Sequence, residues 1–237
     1  MGQRRRAARR DGPLIPLRHS LRHRSLPLAN WLLIALCSVG FAWELRAGSG
    51  LESAIEVWAL VPARVVTLAS RGELYRPEFW APFVSSTFLH AGALHYLSNM
   101  LFLWIFGGGV EDRLGHLGYP VFYLAGGVAA GLVHVAANPD STIPTIGASG
   151  SIAAVMGAFF VLYPRAWVVS IIPPLFWLQF QIPALLYLAF WFALQVYMGT
   201  VAMAAEPAEA SVAWWAHAGG FAFGLVAISL LGRERPR

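Results

Sequence analysis

Six apolar runs, separated by short polar or proline-marked breaks, occupy the sequence from Leu28 to Leu231 and decide its fold class. They are Leu28–Leu45, Leu94–Val110, Leu117–Ala137, Ser149–Tyr163, a stretch from about Pro183 to Ala202, and Ser211–Leu231. A hydrocarbon core about 30 Å thick takes roughly 20 apolar helical residues to cross. The region Val168–Ala205 is too long for one crossing, and Pro173-Pro174 and Pro183 break its first half. Only 12% of the 237 residues are charged and 57% are hydrophobic, with a mean hydropathy of +0.58, whereas soluble domains carry about 25% charged residues. The expected architecture is all-α: a polytopic membrane helical bundle with six transmembrane helices.

The charges give this bundle an orientation. All seventeen basic residues are arginine, eight of them in the first 24 positions and three in the last five. Arg113, Arg165 and Arg233 follow the second, fourth and sixth runs, whereas the opposite short loops carry Asp140, Glu206 and Glu209. By the positive-inside rule both termini are cytoplasmic. The expected organisation is a basic tail over 1–27, a membrane domain over 28–232 with a long first loop over 46–82 lying against the membrane, and a basic end over 233–237. A pI near 9.9 with charge confined to the tails points to membrane lipid as partner and away from nucleic acid. Arginine-only basic usage points to a GC-rich bacterial genome, and so to the cell membrane. The lone Cys37 allows no intrachain disulfide and no cysteine-rich metal site. The start "MGQRRR" lacks the Ser or Thr of a myristoylation signal, and the first run reads as a retained span.

Polar side chains recur at one depth. The fourth run has only 15 residues, about 22 Å of helix, so its first residue, Ser149 in "IGASGS", falls below the outer surface. A buried hydroxyl there needs a partner. His217 stands near the outer end of the sixth run, and His95 and Asn99, on one helical face at i and i+4, at the outer end of the second. Ser149, Ala153 and Gly157 form one small-residue stripe and His217, Gly220 and Gly224 another, and such faces let helix backbones approach closely. Face to face, the stripes bring Ser149 beside His217. A lone serine in Gly-Ala-Ser-Gly is ordinary packing material, but four polar groups at one depth describe a built cavity. "HAGALH" lacks the Glu of a zinc peptidase motif, so no metal or cofactor is expected. His90 reads as structural, His19, His23, His116 and His134 as bystanders, and Glu111-Asp112-Arg113 as an ion-paired helix terminus.

The ordered set "FLHAGALHYLSNM" (Phe88–Met100), "GGGVEDRLG" (Gly107–Gly115), "GASG" (Gly147–Gly150) and "AHAGGFAFG" (Ala216–Gly224) resembles the rhomboid family of intramembrane serine proteases, in its bacterial six-span form. The resemblance runs from roughly Arg76 to Leu231. It implies Ser149 as nucleophile and His217 as general base. It implies an oxyanion site made by His95, Asn99 and the backbone N–H of Ser149, with Gly147, Gly150, Gly220, Gly224 and His90 in support. It gives Glu111 and Arg113 a structural role. Where some bacterial members place a tyrosine against the base, this chain has Ala153. No third acid presents itself, since nothing ties Asp140 to His217, so a Ser–His dyad oriented by packing is expected. Substrates implied by the resemblance are transmembrane proteins with helix-weakening residues near the interface. The loop Val201–Ser211 is the candidate lid and the fifth run the candidate lateral gate. The rival reading is a non-catalytic rhomboid-like membrane adaptor or quality-control factor, whose kind typically lacks the serine or the histidine. A small transporter would show internal repeats, and the sequence has none.

Overall fold

A proline opens each of two short helices in the first loop, where its missing N–H costs nothing and its fixed φ favours the helical turn. In the computed structural model, which describes residues 25–172, 175–204 and 212–231, α1 (Leu28–Ala47) is followed by α2 (Leu51–Trp58), α3 (Pro62–Ser70) and α4 (Pro77–Ser85). Then come the long α5 (Ala93–Ala137), α6 (Ser149–Leu162), a hairpin of β1 (Trp167–Ile172) and β2 (Leu175–Pro183), α7 (Ala184–Ala204) and α8 (Trp214–Leu230). The basic tails, with His19 and His23, and most of the candidate lid lie outside the described residues.

Helix α5 is two helices. Gly115 has φ 75° and ψ 166°, outside the helical region, a conformation glycine reaches without a Cβ penalty. The limbs 93–114 and 116–137 fold back on each other there. Asn30 of α1 records the reversal: its Nδ2 donates to the Leu103 carbonyl (3.0 Å) and its Oδ1 accepts from Tyr119 Oη (2.7 Å). In a straight helix Leu103 and Tyr119 would be about 24 Å apart. Among the described residues α1, α5 and α7 are long and apolar enough to cross a membrane, and α6 and α8 are shorter apolar helices.

Helix α6 is the axis of the bundle. Every residue from Gly150 to Phe159 is buried, between α8 on one side and both limbs of α5 on the other. Gly126 of the second limb would meet the Ala154 side chain if it had a Cβ, and Gly109 of the first would lie 3.2 Å from the Phe159 ring. Helix α7 rests mainly on α8, with Phe192 stacked on Phe221 at 4.7 Å.

Three features differ from the sequence expectation. The all-α reading missed the antiparallel hairpin, which runs in register from Trp167↔Pro183 to Ile171↔Gln179. Pro173-Pro174 is more than a helix break: it separates two stretches rich in β-branched and aromatic residues, the composition of paired strands. The first loop is not merely laid down: α3 and α4 build a second small core with the later limb of α5, from Leu60, Val65, Phe79, Phe83 and Val135. And Glu111 does more than close a helix. Its buried carboxylate accepts from the Ala29 and Asn30 amides (2.9 and 2.8 Å) and meets His116 Nδ1 at 2.5 Å, so it caps α1, whose own N-cap residue, Pro27, offers no side-chain bond. His116 is therefore no bystander.

Candidate functional site

Two rows of small residues fix the centre of the site. A Cβ at Gly220 would run into the Gly150 carbonyl, one at Gly224 into the Ala154 carbonyl, and one at Gly157 into the Phe221 carbonyl. Helices α6 and α8 therefore touch backbone to backbone, as the stripes predict. Ala153, fully buried, fills the space against Gly220, whose Cβ would lie 3.2 Å from its own. At the end of this seam the side chains of Ser149 and His217 meet: His217 Nε2 lies 2.8 Å from Ser149 Oγ.

Ser149 is the first residue of α6, so its amide has no intrahelical acceptor. The turn into it depends on Gly147, at φ 129°, whose N–H donates to the Ser86 carbonyl (2.9 Å). A side chain there would be strained and would also collide, with a Cβ 2.7 Å from His95 Cε1 and 3.6 Å from Ser149 Oγ. His95 thus packs on the same glycine as the serine. Its Nδ1 accepts from the Ala91 amide (3.2 Å), which leaves the proton on Nε2, the nitrogen turned toward Gly147. Asn99 is buried, and its Nδ2 has no partner among the described residues. Ser149, His217, His95 and Asn99 all line one cavity of about 1200 Å³. Gly150 serves packing: a Cβ would lie 2.8 Å from that of Ala130 on the second limb of α5.

His90 stands behind His95, ring centroids 5.5 Å apart, and edge-on to Phe41 and Tyr96. Its amide donates to Glu44 Oε1 of α1 (2.8 Å). Burial, helped by the neighbouring His95, pushes the His90 pKa down to about 4, so the ring is neutral at physiological pH and supports His95 without competing for protons.

Sequence reasoning missed two further groups. His134 meets Asn138 Nδ2 (3.3 Å) through Nδ1 and Thr145 Oγ1 (3.0 Å) through Nε2. Thr145 in turn pairs with Leu60 through both backbone bonds (3.0 and 2.8 Å). The loop that delivers Ser149 is thereby tied down two residues before Gly147. The i, i+4 spacing of His134 and Asn138 repeats that of His95 and Asn99 and was there to be read. The second group is Gln195 of α7, 4% exposed, whose Oε1 lies 2.8 Å from His217 Nδ1. The indole of Trp191 lies alongside the imidazole (5.9 Å, 36°) and that of Trp214 stands edge-on to it (6.3 Å). Asp140 lines the cavity, but no carboxylate among the described residues hydrogen-bonds to His217.

A half-buried hydroxyl bonded to an imidazole, beside a helix-terminal amide without an intrahelical acceptor and two side-chain donors, has the parts of a nucleophile, its base and an oxyanion site. A Rhomboid domain family model matches residues 72–234. The chain is 40% identical over 88 residues to the Rhomboid-like protein 11, chloroplastic, of Arabidopsis thaliana, covering 37% of this chain and 31% of that protein. It is 31% identical over 98 residues to the human presenilin-associated rhomboid-like protein, mitochondrial, covering 40% and 26%. It is 30% identical over 133 residues to the rhomboid protease GluP of Bacillus subtilis (strain 168), covering 56% and 24%. The matches therefore span a third or less of each relative's own length.

Proposed function

The chain belongs to the rhomboid family, and on that premise we propose that it is an intramembrane serine endopeptidase acting on transmembrane proteins. The observation that carries the reading is the 2.8 Å contact between His217 Nε2 and Ser149 Oγ, which both line a cavity formed between apolar helices. Neutral His217 takes the hydroxyl proton as the serine oxygen attacks the scissile carbonyl, and returns it to the departing amine. Water, activated by the same imidazole, then opens the acyl-enzyme. The developing oxyanion is held by the Ser149 amide, His95 Nε2 and Asn99 Nδ2.

We read the two limbs of α5 as separate crossings, which with α1, α6, α7 and α8 makes six spans. Arginines at both tails favour two cytoplasmic ends and a cell-membrane location. The site then opens on the outer side, where a substrate helix that unwinds easily can present an extended segment. No metal or cofactor enters the scheme.

The test is incubation of the full chain in lipid with a panel of single-span reporter proteins and with a fluorophosphonate probe. Cleavage of at least one reporter and labelling of the wild type, both lost in Ser149→Ala, is the expected result. A wild type that binds reporters and neither cuts them nor takes the probe is the adaptor instead. Asn99→Ala is expected to slow cleavage by about 10²-fold with KM little changed, the usual consequence of removing one oxyanion donor. A change confined to KM would move Asn99 from the oxyanion site to substrate binding.

A further inference from the structure

Gln195 is an amide on the buried stripe of α7, which otherwise comprises Ala184, Leu188 and Gly199. Its Nε2 donates to the Trp191 carbonyl one turn back (3.1 Å), and its Oε1 faces His217 Nδ1 at 2.8 Å. These two contacts fix each other. A backbone carbonyl only accepts, so the end of the amide against Trp191 must be the NH₂, and the end against His217 must be the oxygen. An amide oxygen also only accepts, so His217 Nδ1 must carry the ring proton. The lone pair is then on Nε2, the nitrogen 2.8 Å from Ser149 Oγ. Hydrogen-bond polarity thus runs from the helix backbone through Gln195 and His217 to the serine.

We propose that Gln195 is a positioning residue for the base: by accepting from Nδ1–H of His217 it selects the tautomer able to take the proton of Ser149, and it ties that selection to the seating of α7 on α8. The inference rests on the reading of Ser149 and His217 as nucleophile and base. It supplies the orienting group that Ala153 cannot provide. An amide suits this depth, since it stabilises the imidazolium that forms during acyl transfer without placing a permanent charge between apolar helices. Because the acceptor belongs to α7 and the base to α8, any displacement of α7 that opens the bundle also releases the imidazole. The base is set only while α7 is seated.

The titratable groups that act on His217 from neighbouring elements are His95 and His134, both on α5. From α6 it meets Ser149, from α7 Gln195 and Trp191, and α8 itself carries no other ionisable residue. Asp140 in the loop before α6 lines the same cavity. The two-way comparison of Gln195→Leu with Gln195→Glu separates the role of the acceptor from these constant neighbours.

The experiment uses the full chain in lipid, with ¹⁵N-histidine spectra and second-order rates of fluorophosphonate labelling for wild type, Gln195→Leu and Gln195→Glu, each checked by thermal unfolding. In the wild type His217 is expected as the Nδ1–H tautomer. In Gln195→Leu that preference is lost and labelling slows by about 10²-fold, below the roughly 10⁴-fold of a triad held in the wrong tautomer. In Gln195→Glu the tautomer returns and the acid limb of the rate profile moves to higher pH, because a carboxylate stabilises the imidazolium more strongly. Retention of Nδ1–H and of the wild-type rate in Gln195→Leu overturns the proposal. So does an equal loss in both variants, which would make Gln195 a packing residue. A wild type that does not label at all removes the protease reading, and the tautomer spectra still decide whether Gln195 positions His217.

Discussion

His217→Ala and Ser149→Ala are each expected to lower reporter cleavage by about 10⁴–10⁶-fold, and the double variant to be no slower than the worse single one. The scale is that of serine hydrolases in which nucleophile and base act as one unit, so that losing either member removes the benefit of both. The geometry here is of that kind: one hydrogen bond joins the two groups, His217 Nε2 to Ser149 Oγ at 2.8 Å. What survives in each variant is the donor set around the oxyanion: a backbone amide that the substitution does not remove, and His95 and Asn99 on α5. Unfolding midpoints should hardly move, since both side chains are only half-buried and line the cavity. Rates of single and double variants measured on one reporter decide the matter. Additive losses would mean that the two residues contribute separately and that the shared proton is not the reason they are close.

The largest effect on stability is expected at Gly224. A Cβ there would be forced against the Ala154 carbonyl, with 2.7 Å to the carbonyl carbon, and backbone cannot rotate away as a side chain can. Gly224→Val should therefore destabilise the bundle by about 3 kcal/mol, the upper range for overpacking. At roughly 2–4 °C per kcal/mol for a chain of this length, the unfolding midpoint should fall by about 6–12 °C. Spreading α6 from α8 also separates Ser149 from His217, so activity should fall further than stability alone explains. Gly118→Ala is the control: its Cβ would meet only the Leu114 side chain at 3.6 Å, an ordinary contact, and the midpoint should stay within about 1 °C. If Gly224→Val melted like Gly118→Ala, the two helices would not be in backbone contact.

The reading from sequence worked best where a local pattern has one structural solution. The small-residue stripes of Ser149, Ala153 and Gly157 and of His217, Gly220 and Gly224 can pack closely only on each other, and they do. His95 and Asn99, read from their i, i+4 spacing, and Gly147, implied by the resemblance, line the same cavity. Gln195 escapes a count of depth from the ends of the apolar runs. It stands well inside the Ala204 end of α7, whereas His217 is in the first turn of α8, and helices that begin at different levels defeat such a count. The hairpin escaped because a proline pair punctuates a helix and a hairpin alike, and the β-branched residues before Pro173 and the aromatic ones after Pro174 suit paired strands. Glu111 and the Thr145 bond of His134 escaped for a third reason: the partners, the amides of Ala29 and Asn30 and the loop before α6, belong to other elements and no sequence interval encodes them, whereas Asn138, four residues after His134, was legible.

Glu44 and the start of α1 carry a consequence for how the chain is made. The carboxylate of Glu44 is bonded by the amide of a residue 46 positions later, and the first amides of α1 by a carboxylate more than 80 positions later. During translation α1 is therefore complete well before the partners of these bonds have been made. The first helix of this bundle must be tolerated loose, with an acid on its flank, until the limb of α5 before Gly115 is made and the two clamps can close around it.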